Sequence, residues 1–383
     1  MNFKRNHVIL AIFISFGTLA SQATTHALYE ASIAQKHEQW MAKHGRVYPD
    51  SSEKERRLAI FTKNVEFVEK FNKEGNKTYK LSINKFSDMT NEEFMRHHTG
   101  YKVPTSSSTS TSFENNSFQY QSLADTDIPT SMDWREQAAV TGIKDQGRCG
   151  ACWAFTVVAA VEGLTKIKTG QLISLSEQQL VDCSHQNGGC RGGSLESAYE
   201  YVIQNGGIAR EENYQYQSTD METCDTNKES EHAAQISAYE KVPSRSENDL
   251  LKAVSMQPVS ISIAAYGPDF QHYSSGVFSS DCGTHLDHAV TAIGYGTTED
   301  GIPYWLLKNS WGEQWGESGY MRILRNSDAP EGTFSTVGIG LRAEDLPPLG
   351  TSALQHCSTA SGSHASAEAM SSSQRFPGLV SLG

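Results

Sequence analysis

The sequence predicts an α+β protein with two lobes and a cleft between them. Its central part places helical patterns first and strand patterns second. From Cys152 to Lys168 apolar residues recur at helical spacing, and the pattern stops before Gly170, whereas Val259 to Ile263 alternates apolar and polar residues with period two. Helices followed by strands favour separate layers, and functional sites favour the cleft between such layers.

The other elements follow from local patterns along the chain. Residues 27–100 are predicted to form charged helices, because large apolar side chains recur at helical intervals among Glu and Lys. Ser176 is a typical helix N-cap, and Asn205 with two following glycines closes a short helix. The further predicted elements are a helix over 195–204 and strands over 289–295, 304–307 and 320–324.

Length and charge narrow the class of protein. The chain has 383 residues, with 32 Lys and Arg against 44 Asp and Glu, and a net charge of −12. At roughly 150 residues per domain, this length predicts two or more units with enough chain to bury a core. A net negative charge disfavours nucleic acid as a partner, because phosphate binding needs a concentrated basic face.

The N-terminus has the pattern of a secretory signal peptide, predicted over residues 1–23. Two basic residues precede an apolar run from Val8 to Ala20, and small residues follow it. The run is shorter than the ~20 residues of a membrane-spanning helix, so no membrane association is expected after its removal. Passage through an oxidising compartment predicts disulfides, and the sequons at Asn76 and Asn115 predict glycosylation.

Composition divides the remainder into three parts. Residues 24–127 are charged and free of cysteine, and they contain a Ser/Thr-rich linker over 104–117 that is predicted to be flexible and accessible to proteases. Residues 128–347 are aromatic, Gly-rich and contain six of the seven cysteines. Residues 348–383 are Ser/Ala-rich and are predicted to be weakly structured.

The densest chemical signal is the segment from Gln146 to Trp153, QGRCGACW, which contains a C-x-x-C pair. Such a pair is typical of a redox dithiol, half a zinc site, two disulfide partners, or one reactive thiol beside one structural cysteine. The sequence offers no second pair of zinc ligands, and no strand pattern leads into the motif as a thioredoxin-like site requires. Cys152 stands at the start of a predicted helix, where backbone N–H groups favour a thiolate. A reactive cysteine needs a base and a group that orients the base, and the candidates are His288 and Asn309.

In these residues the sequence resembles the papain-like cysteine proteases, especially the plant branch with its long propeptide. The motif CGACW is followed by His288 and Asn309, which lie 136 and 157 residues beyond Cys152. The resemblance covers about residues 28–340. It implies a papain-like two-lobed fold, with a helical N-terminal lobe, an antiparallel, β-barrel-like C-terminal lobe, and the active site in the cleft between them.

The resemblance implies catalytic roles for four residues. Cys152 would be the nucleophile, and His288 its partner in a thiolate–imidazolium pair that forms an acyl-enzyme intermediate. Asn309 would orient the imidazole, with Trp311 shielding that hydrogen bond from water. Gln146 would donate its side-chain amide to the oxyanion of the tetrahedral intermediate. No cofactor and no metal is expected.

The resemblance also implies a surface that binds a peptide substrate. Two glycines would form a wall that pairs main chain to main chain with the peptide, because glycine permits a close approach. Beside them, a hydrophobic pocket lined by four residues would accept the second residue before the cut, and Asp287 would make local hydrogen bonds. The wall is Gly192 and Gly193, the pocket is Ser194, Leu195, Ser262 and Leu286, and Trp311 completes the set of substrate-binding residues.

Residues 24–127 resemble the inhibitory propeptide of the same family, with an ERFNIN-like helical segment within 37–94. Six residues of that pattern are in register, and their steps of three and four place them on one helical face. Such propeptides lie through the cleft in the reverse direction and inhibit the enzyme until acid loosens them. The six residues are Glu53, Arg57, Phe61, Asn64, Val68 and Asn72.

Up to three disulfides are implied, and they leave Cys152 as a free thiol. The usual partner of Cys282, near the end of the domain, is replaced by Val337 in this chain, so Cys282 is free unless the tail cysteine Cys357 pairs with it. The implied pairs are Cys149–Cys190 and Cys183–Cys224, with Cys282–Cys357 as the alternative to a free Cys282.

These features predict a cysteine endopeptidase that is made as an inactive secretory precursor and activated by removal of the propeptide. One alternative is a catalytically impaired homologue that acts as a binding or storage protein, but such relatives usually lack the nucleophile, which is present here as Cys152. A second alternative is an exopeptidase, which needs an inserted loop that is missing between Cys183 and Cys224. The expected partners are polypeptide substrates, the chain's own propeptide and cystatin-like inhibitors, for a monomer in the vacuole, in the lysosome or outside the cell.

Overall fold

The computed structural model describes residues 28–104, 118–220, 223–244, 246–280, 285–325 and 339–341. Within these ranges the fold is α+β, which confirms the predicted class. Several predictions fall outside the described residues: the signal peptide, the linker beyond residue 104, Asn115, the Cys282–Cys357 pair and the C-terminal tail.

Most of the long helices precede most of the strands in the chain. The helices are α1 (28–44), α2 (Ser51–Glu74), α3 (Asn91–His98), α4 (Cys152–Thr169), α5 (Glu177–Cys183), α6 (Leu195–Gln204), α7 (Thr226–Glu229), α8 (Glu247–Met256) and α9 (Pro268–Gln271), with 3-10 turns at Asp125–Asp127 and Gly189–Arg191. The strands are β1 (Tyr79–Leu81), β2 (Met132–Asp133), β3 (Ile208–Ala209), β4 (His232–Ala234), β5 (Tyr239–Lys241), β6 (Val259–Ile263), β7 (Tyr273–Phe278), β8 (His288–Thr297), β9 (Pro303–Lys308), β10 (Tyr320–Leu324) and β11 (Ile339–Leu341).

Helix α4 forms the centre of the helical lobe. It begins at Cys152 and ends at Thr169, where Gly170 adopts a left-handed conformation with φ 77° and its N–H caps the last turn. This confirms the predicted helix that stops before Gly170. The helix is buried from Cys152 to Thr165, because α5 and α6 pack against it and strand β8 of the sheet contacts it as well.

Two serine caps begin the neighbouring helices. The side chain of Ser176 accepts a hydrogen bond from the N–H of Gln179 at the start of α5, and Ser194 accepts one from Ser197 at the start of α6. Each cap satisfies a backbone donor that the helix itself leaves free. The second cap matters for the site, because it holds Ser194 and Leu195 next to the disulfide-linked loop that contains Gly192 and Gly193.

The strands of the second lobe form an open, mixed sheet. Within the described residues its order is β1-β7-β10-β9-β8-β6-β11-β5, and β2 pairs with β8. These strands do not close into a barrel, and β7 runs parallel to β10 through the pairs Val277–Arg322 and Phe278–Ile323. The resemblance implied an antiparallel lobe, but this sheet is mixed. The chain completes the antiparallel run β8-β9-β10, and β10 then lies parallel to β7.

Strand β6 is buried on both faces, although its sequence alternates polar and apolar residues. Ser260 faces the helical lobe, where its hydroxyl donates to the carbonyl of Thr156 over 3.0 Å and lies 2.6 Å from the hydroxyl of Tyr199. Ser262 is also fully buried. The period-two pattern here therefore separates a polar face buried against the helical lobe from an apolar face buried in the core of the sheet lobe.

The segment 28–104 packs onto the sheet lobe. Strand β1 pairs antiparallel with β7 through Tyr79–Gly276 and Lys80–Ser275, so this segment adds a strand to the edge of the sheet. Phe86 and Phe94 belong to the same hydrophobic core as Trp311. A side chain at Gly276 would overlap the backbone of Thr78 and Tyr79, so the close approach of the two strands requires glycine there.

Two disulfides connect the loops of the helical lobe. They are Cys149–Cys190 and Cys183–Cys224, the pairs that the resemblance implied. Cys152 is the free cysteine among the described residues. Within the same ranges, no helix has both the length and the apolar character that crossing a bilayer requires.

Candidate active site

Cys152 is the first residue of α4, and its side chain is fully buried. Burial raises the pKa of the thiol to about 12, although the backbone N–H groups of Ala289, Trp153 and Gly100 lie near the sulfur and oppose that shift. Ala289 directly follows His288 on β8. The strand of one lobe thus brings the candidate base to the N-terminus of the central helix of the other lobe.

His288 is fully buried between polar and aromatic neighbours. Its Nε2 lies 2.8 Å from Oδ1 of Asn309, and its ring stacks on Trp311 with centroids 4.4 Å apart. Burial lowers the pKa of His288 to about 4, and the hydrogen bond to Asn309 opposes that change. Asn309 and Trp311 therefore hold the ring in one orientation, since one fixes a ring nitrogen and the other covers a ring face.

Burial favours the uncharged forms of both Cys152 and His288 in this structure. The resemblance implied a thiolate–imidazolium pair, in which both groups carry charge. The difference has a physical cause, because both side chains are buried, Cys152 beside the backbone of Gly100 and His288 beside Asn309 and Trp311, away from the solvent that stabilises charge.

Gln146 is buried, and its side-chain amide has a fixed orientation. Its Oε1 accepts a hydrogen bond from Ser310 Oγ over 2.7 Å. Its Nε2 donates to the carbonyl of Cys149 over 2.7 Å and to the carbonyl of His98 over 3.3 Å. The amide therefore directs its N–H groups towards a carbonyl oxygen that the segment 28–104 places over the site.

A short segment, residues 98–101, lies across Cys152 and is called the covering segment below. The N–H groups of Gly100 and Tyr101 both donate to the carbonyl of Asp287 over 3.0 Å. On the other side, Gly193 donates to the carbonyl of Gly100 and accepts from the N–H of Lys102, each over 2.9 Å. A side chain at position 100 would overlap the backbone of Gly150, so only glycine permits this approach.

Two groups of closely spaced metal-ligating side chains occur in the described residues. One contains Asp220 with Cys149 and Cys190, and the other contains Glu229 with Cys183 and Cys224. Both pairs of sulfur atoms form disulfides, so neither group offers thiolate ligands.

Comparison with known proteins identifies the architecture. The model of the papain family cysteine protease matches residues 128–340, and the model of the cathepsin propeptide inhibitor domain (I29) matches residues 37–94. The chain belongs to the papain family of cysteine proteases. It is a cysteine endopeptidase made as a zymogen, and its N-terminal inhibitor domain acts on the enzyme of the same chain.

Individual relatives have the same organisation. The chain is 48% identical over 327 residues to the senescence-specific cysteine protease SAG12 of Arabidopsis thaliana, which covers 85% of this chain and 94% of that protein. It is 49% identical over 305 residues to vignain of Ricinus communis, with 79% and 83% covered.

Two solved proforms have the same fold as this chain. The recombinant stem bromelain precursor is 41% identical, covers 82% of this chain and 100% of its own, and gives a TM-score of 0.74. The proform of the ragweed pollen allergen Amb a 11 is 37% identical, covers 82% and 95%, and gives a TM-score of 0.72.

The residues predicted to bind substrate lie around the covering segment. Gly193 pairs with its backbone as described, and Gly192 has φ 100° in the same loop. Leu195 is fully buried, Leu286 packs against the same hydrophobic cluster, and the hydroxyl of Ser262 is buried without a hydrogen-bond partner among the described residues. The structure therefore brings Gly193, Leu195, Ser262 and Leu286 to one region, whereas Ser194 uses its hydroxyl to cap α6.

Asp287 has two separate functions in this geometry. Its carbonyl accepts the two N–H groups of the covering segment, and its Oδ1 accepts from the N–H of Ala265 over 2.8 Å. Burial raises the pKa of its carboxyl to about 6. The predicted local hydrogen bonding is present, and the backbone contact to the covering segment is an addition that the sequence did not indicate.

Sequence reasoning missed the residues that cover the site. His98, Gly100 and Tyr101 follow the propeptide motif but carry no pattern of their own, so no local signal could have identified them. Trp311 was singled out as a shield for the histidine, yet its indole N–H donates to the carbonyl of His98 over 3.0 Å. Its contacts with Phe86 and Phe94, at centroid distances of 5.9 and 5.0 Å, make it a docking platform for the propeptide as well.

Proposed function

We propose that Cys152, His288, Asn309 and Gln146 carry out peptide hydrolysis in the activated enzyme. The observation that supports this most strongly is the covering segment itself. A peptide chain already lies between Gly193 and Asp287, with its backbone over the Cys152 thiol and a carbonyl oxygen in reach of Gln146. A substrate that takes the place of this segment meets the same groups.

In the proposed reaction Cys152 transfers its proton to His288, and Sγ attacks the carbonyl carbon of the scissile bond. The C–S bond forms while the carbonyl oxygen takes up negative charge, which Gln146 Nε2 and the N–H of Cys152 stabilise by donation. Collapse breaks the C–N bond, and His288 protonates the leaving amine. Water deprotonated by His288 then hydrolyses the acyl-enzyme and restores the thiol.

Labelling of the activated enzyme with a thiol-directed epoxide tests this assignment. We expect one adduct, located at Cys152 by peptide mapping, together with complete loss of peptidase activity. The Cys152→Ala variant should bind no epoxide and cleave no peptide. If labelling survives this substitution, the site assignment is wrong, and a binding or storage role becomes the better description.

The proposed boundaries of the mature enzyme are also open to a direct measurement. We propose removal of residues 1–23, cleavage of the propeptide near Ile128, and a catalytic domain over 128–347 followed by the tail. N-terminal sequencing and the intact mass of the activated enzyme report both ends, and an N-terminus inside 37–94 contradicts the proposal.

The remaining proposals concern surroundings and partners. The apolar N-terminal run and the kinship with propeptide-bearing plant proteases support an enzyme of the secretory pathway, active in the vacuole or lysosome or outside the cell. We propose that it acts as a monomer, with its cleft open to cystatin-like inhibitors. Sedimentation of the activated enzyme at the mass of one chain, and titration of its activity with a cystatin, test these two statements.

A further inference from the structure

The side chain of Tyr101, the last residue of the covering segment, lies in a hydrophobic pocket beside Cys152. The Tyr101 side chain is 5% exposed and belongs to the hydrophobic cluster that contains Leu195 and Ala289. Its backbone forms a parallel bridge with Gly193, and its N–H donates to Asp287. The propeptide therefore inserts a phenol side chain one residue beyond the glycine that lies over Cys152.

The inner end of this pocket is polar. The hydroxyls of Tyr101 and Ser262 and the Oε2 atom of Glu196 are all buried; the two hydroxyls lie close enough to interact, but none of the three atoms has a hydrogen bond of ordinary geometry among the described residues. Ser262 is fully buried and Glu196 is 3% exposed. Buried polar atoms without well-formed hydrogen bonds are rare and costly in folded proteins, so a ligand that places a phenol hydroxyl near Ser262, as Tyr101 does, is favoured here.

The surroundings of Tyr101 favour a neutral donor. Burial raises the pKa of its phenol to about 12, the nearby Ser262 hydroxyl opposes that shift, and Glu196 adds to it. Because Glu196 is already paired with Lys241 through a 2.8 Å contact of its Oε1, its charge is partly compensated. The pocket therefore offers hydrogen-bond acceptors beneath an apolar rim rather than an uncompensated negative charge that would attract an ammonium group.

We propose that this pocket selects tyrosine over phenylalanine at the second residue before the cut, with the Ser262 hydroxyl as the specificity-determining group. The proposal rests on the proposed function, since it assigns a preference to the same cleft. A substrate tyrosine buries its ring against Leu195 and Ala289 and supplies a donor to Ser262. Phenylalanine fills the same apolar volume but leaves the buried hydroxyl unpaired.

The test compares two reporter peptides that differ only in Tyr or Phe at that residue. We expect the activated enzyme to show kcat/KM about tenfold higher for the tyrosine peptide, the effect of one net hydrogen bond. In Ser262→Ala this preference should fall to about one. In Ser275→Ala, a serine on β7 outside the pocket, it should stay at the wild-type value. The preference is a ratio measured on one preparation, so differences in the amount of active enzyme cancel.

Two results overturn the proposal. One is equal kcat/KM for both peptides in the wild-type enzyme, and the other is a tyrosine preference that persists in Ser262→Ala. Failure of the proposed function looks different, because then neither peptide is cleaved and the epoxide does not label Cys152. That result removes the basis of the pocket assignment together with the catalytic one.

Discussion

At the residue scale, the side-chain amide of Gln146 is already held in one orientation in the precursor. Ser310 holds its Oε1, so its Nε2 can point only towards the carbonyls of Cys149 and His98. The His98 carbonyl therefore occupies the donor that the proposed mechanism assigns to the substrate oxyanion. If Ser310 keeps this bond after the propeptide leaves, as we expect, the donor proposed for the oxyanion becomes free in the same orientation.

Gln146→Ala should lower kcat/KM of the activated enzyme by about 10²–10³-fold, mostly through kcat, because an oxyanion donor acts in the transition state rather than on the bound substrate. Steady-state kinetics on one peptide measures the effect. The matched control is Gln217→Ala, which removes an exposed glutamine of the same lobe and should leave both constants unchanged. A loss that lies entirely in KM contradicts the assigned role.

His98 connects the covering segment to pH. Its ring packs against Phe86 and Phe94 with centroids 4.5 and 5.4 Å apart. Burial lowers the pKa of His98 from its ordinary 6.5 to about 3, and the positive charges of Lys85 and Arg148 add to the shift. Between pH 6.5 and pH 3, His98 thus binds a proton more readily in the released propeptide than in the docked one. Docking is therefore unaffected above pH 6.5 and weakens as the pH falls towards 3.

At pH 5 this single linkage favours release by about 2 kcal/mol. His98→Phe keeps the aromatic packing but has no titratable group, so we expect the pH midpoint of self-activation of the full chain to fall by about one unit. The appearance of mature enzyme on gels across a pH series measures that midpoint. His97→Gln serves as the control, since its ring is less buried and should give a smaller shift. An unchanged midpoint in His98→Phe would exclude this residue as a sensor.

At the scale of elements, the periodic pattern of α2 predicts its buried face well. Phe61, Val65 and Val68 are buried, as a helical face requires. Asn64, on the same face, donates from Nδ2 to the carbonyls of Ser87 and Met89 over 2.9 and 3.0 Å. The spacing could predict the face, but not its partners, because these are backbone groups of a loop that has no regular structure of its own.

Asn64→Ala removes both of these hydrogen bonds and leaves two carbonyls without a donor. We expect the inhibitor domain to lose about 1–3 kcal/mol of stability and the alkylation of Cys152 in the full chain at neutral pH to become about tenfold faster or more. Alkylation followed by peptide mapping reads this opening directly, because Cys152 is fully buried in the precursor. Lys63→Ala, an exposed neighbour on the same helix, should alkylate at the wild-type rate. Equal rates for the two variants contradict an anchoring role.

For the whole molecule, the sequence predicts well whatever depends on neighbours in the chain. The bounds of α4, α6, β6 and β10 were predicted to within one residue, because caps and periodicity are local signals. The addition of β1 to β7 was not predictable, since it joins residues separated by almost 200 positions. The resemblance implied the pocket at Leu195 and Ser262, but its occupation by Tyr101 was not predictable, because Tyr101 is far from both residues in the sequence.

The sharing of one core by propeptide and enzyme makes a prediction about unfolding. Val68, Leu81 and Phe94 lie in the same hydrophobic cluster as Trp311 and Phe270, and β1 is hydrogen-bonded to β7. The inhibitor domain thus cannot unfold without exposing apolar surface of the enzyme. We expect the inactive Cys152→Ala precursor to melt in one calorimetric transition at pH 7. At pH 4 the free-energy cost of keeping His98 uncharged in the docked state should divide this transition into two, with the inhibitor domain unfolding first. Two separate transitions at pH 7 would show that the shared core does not couple the two parts.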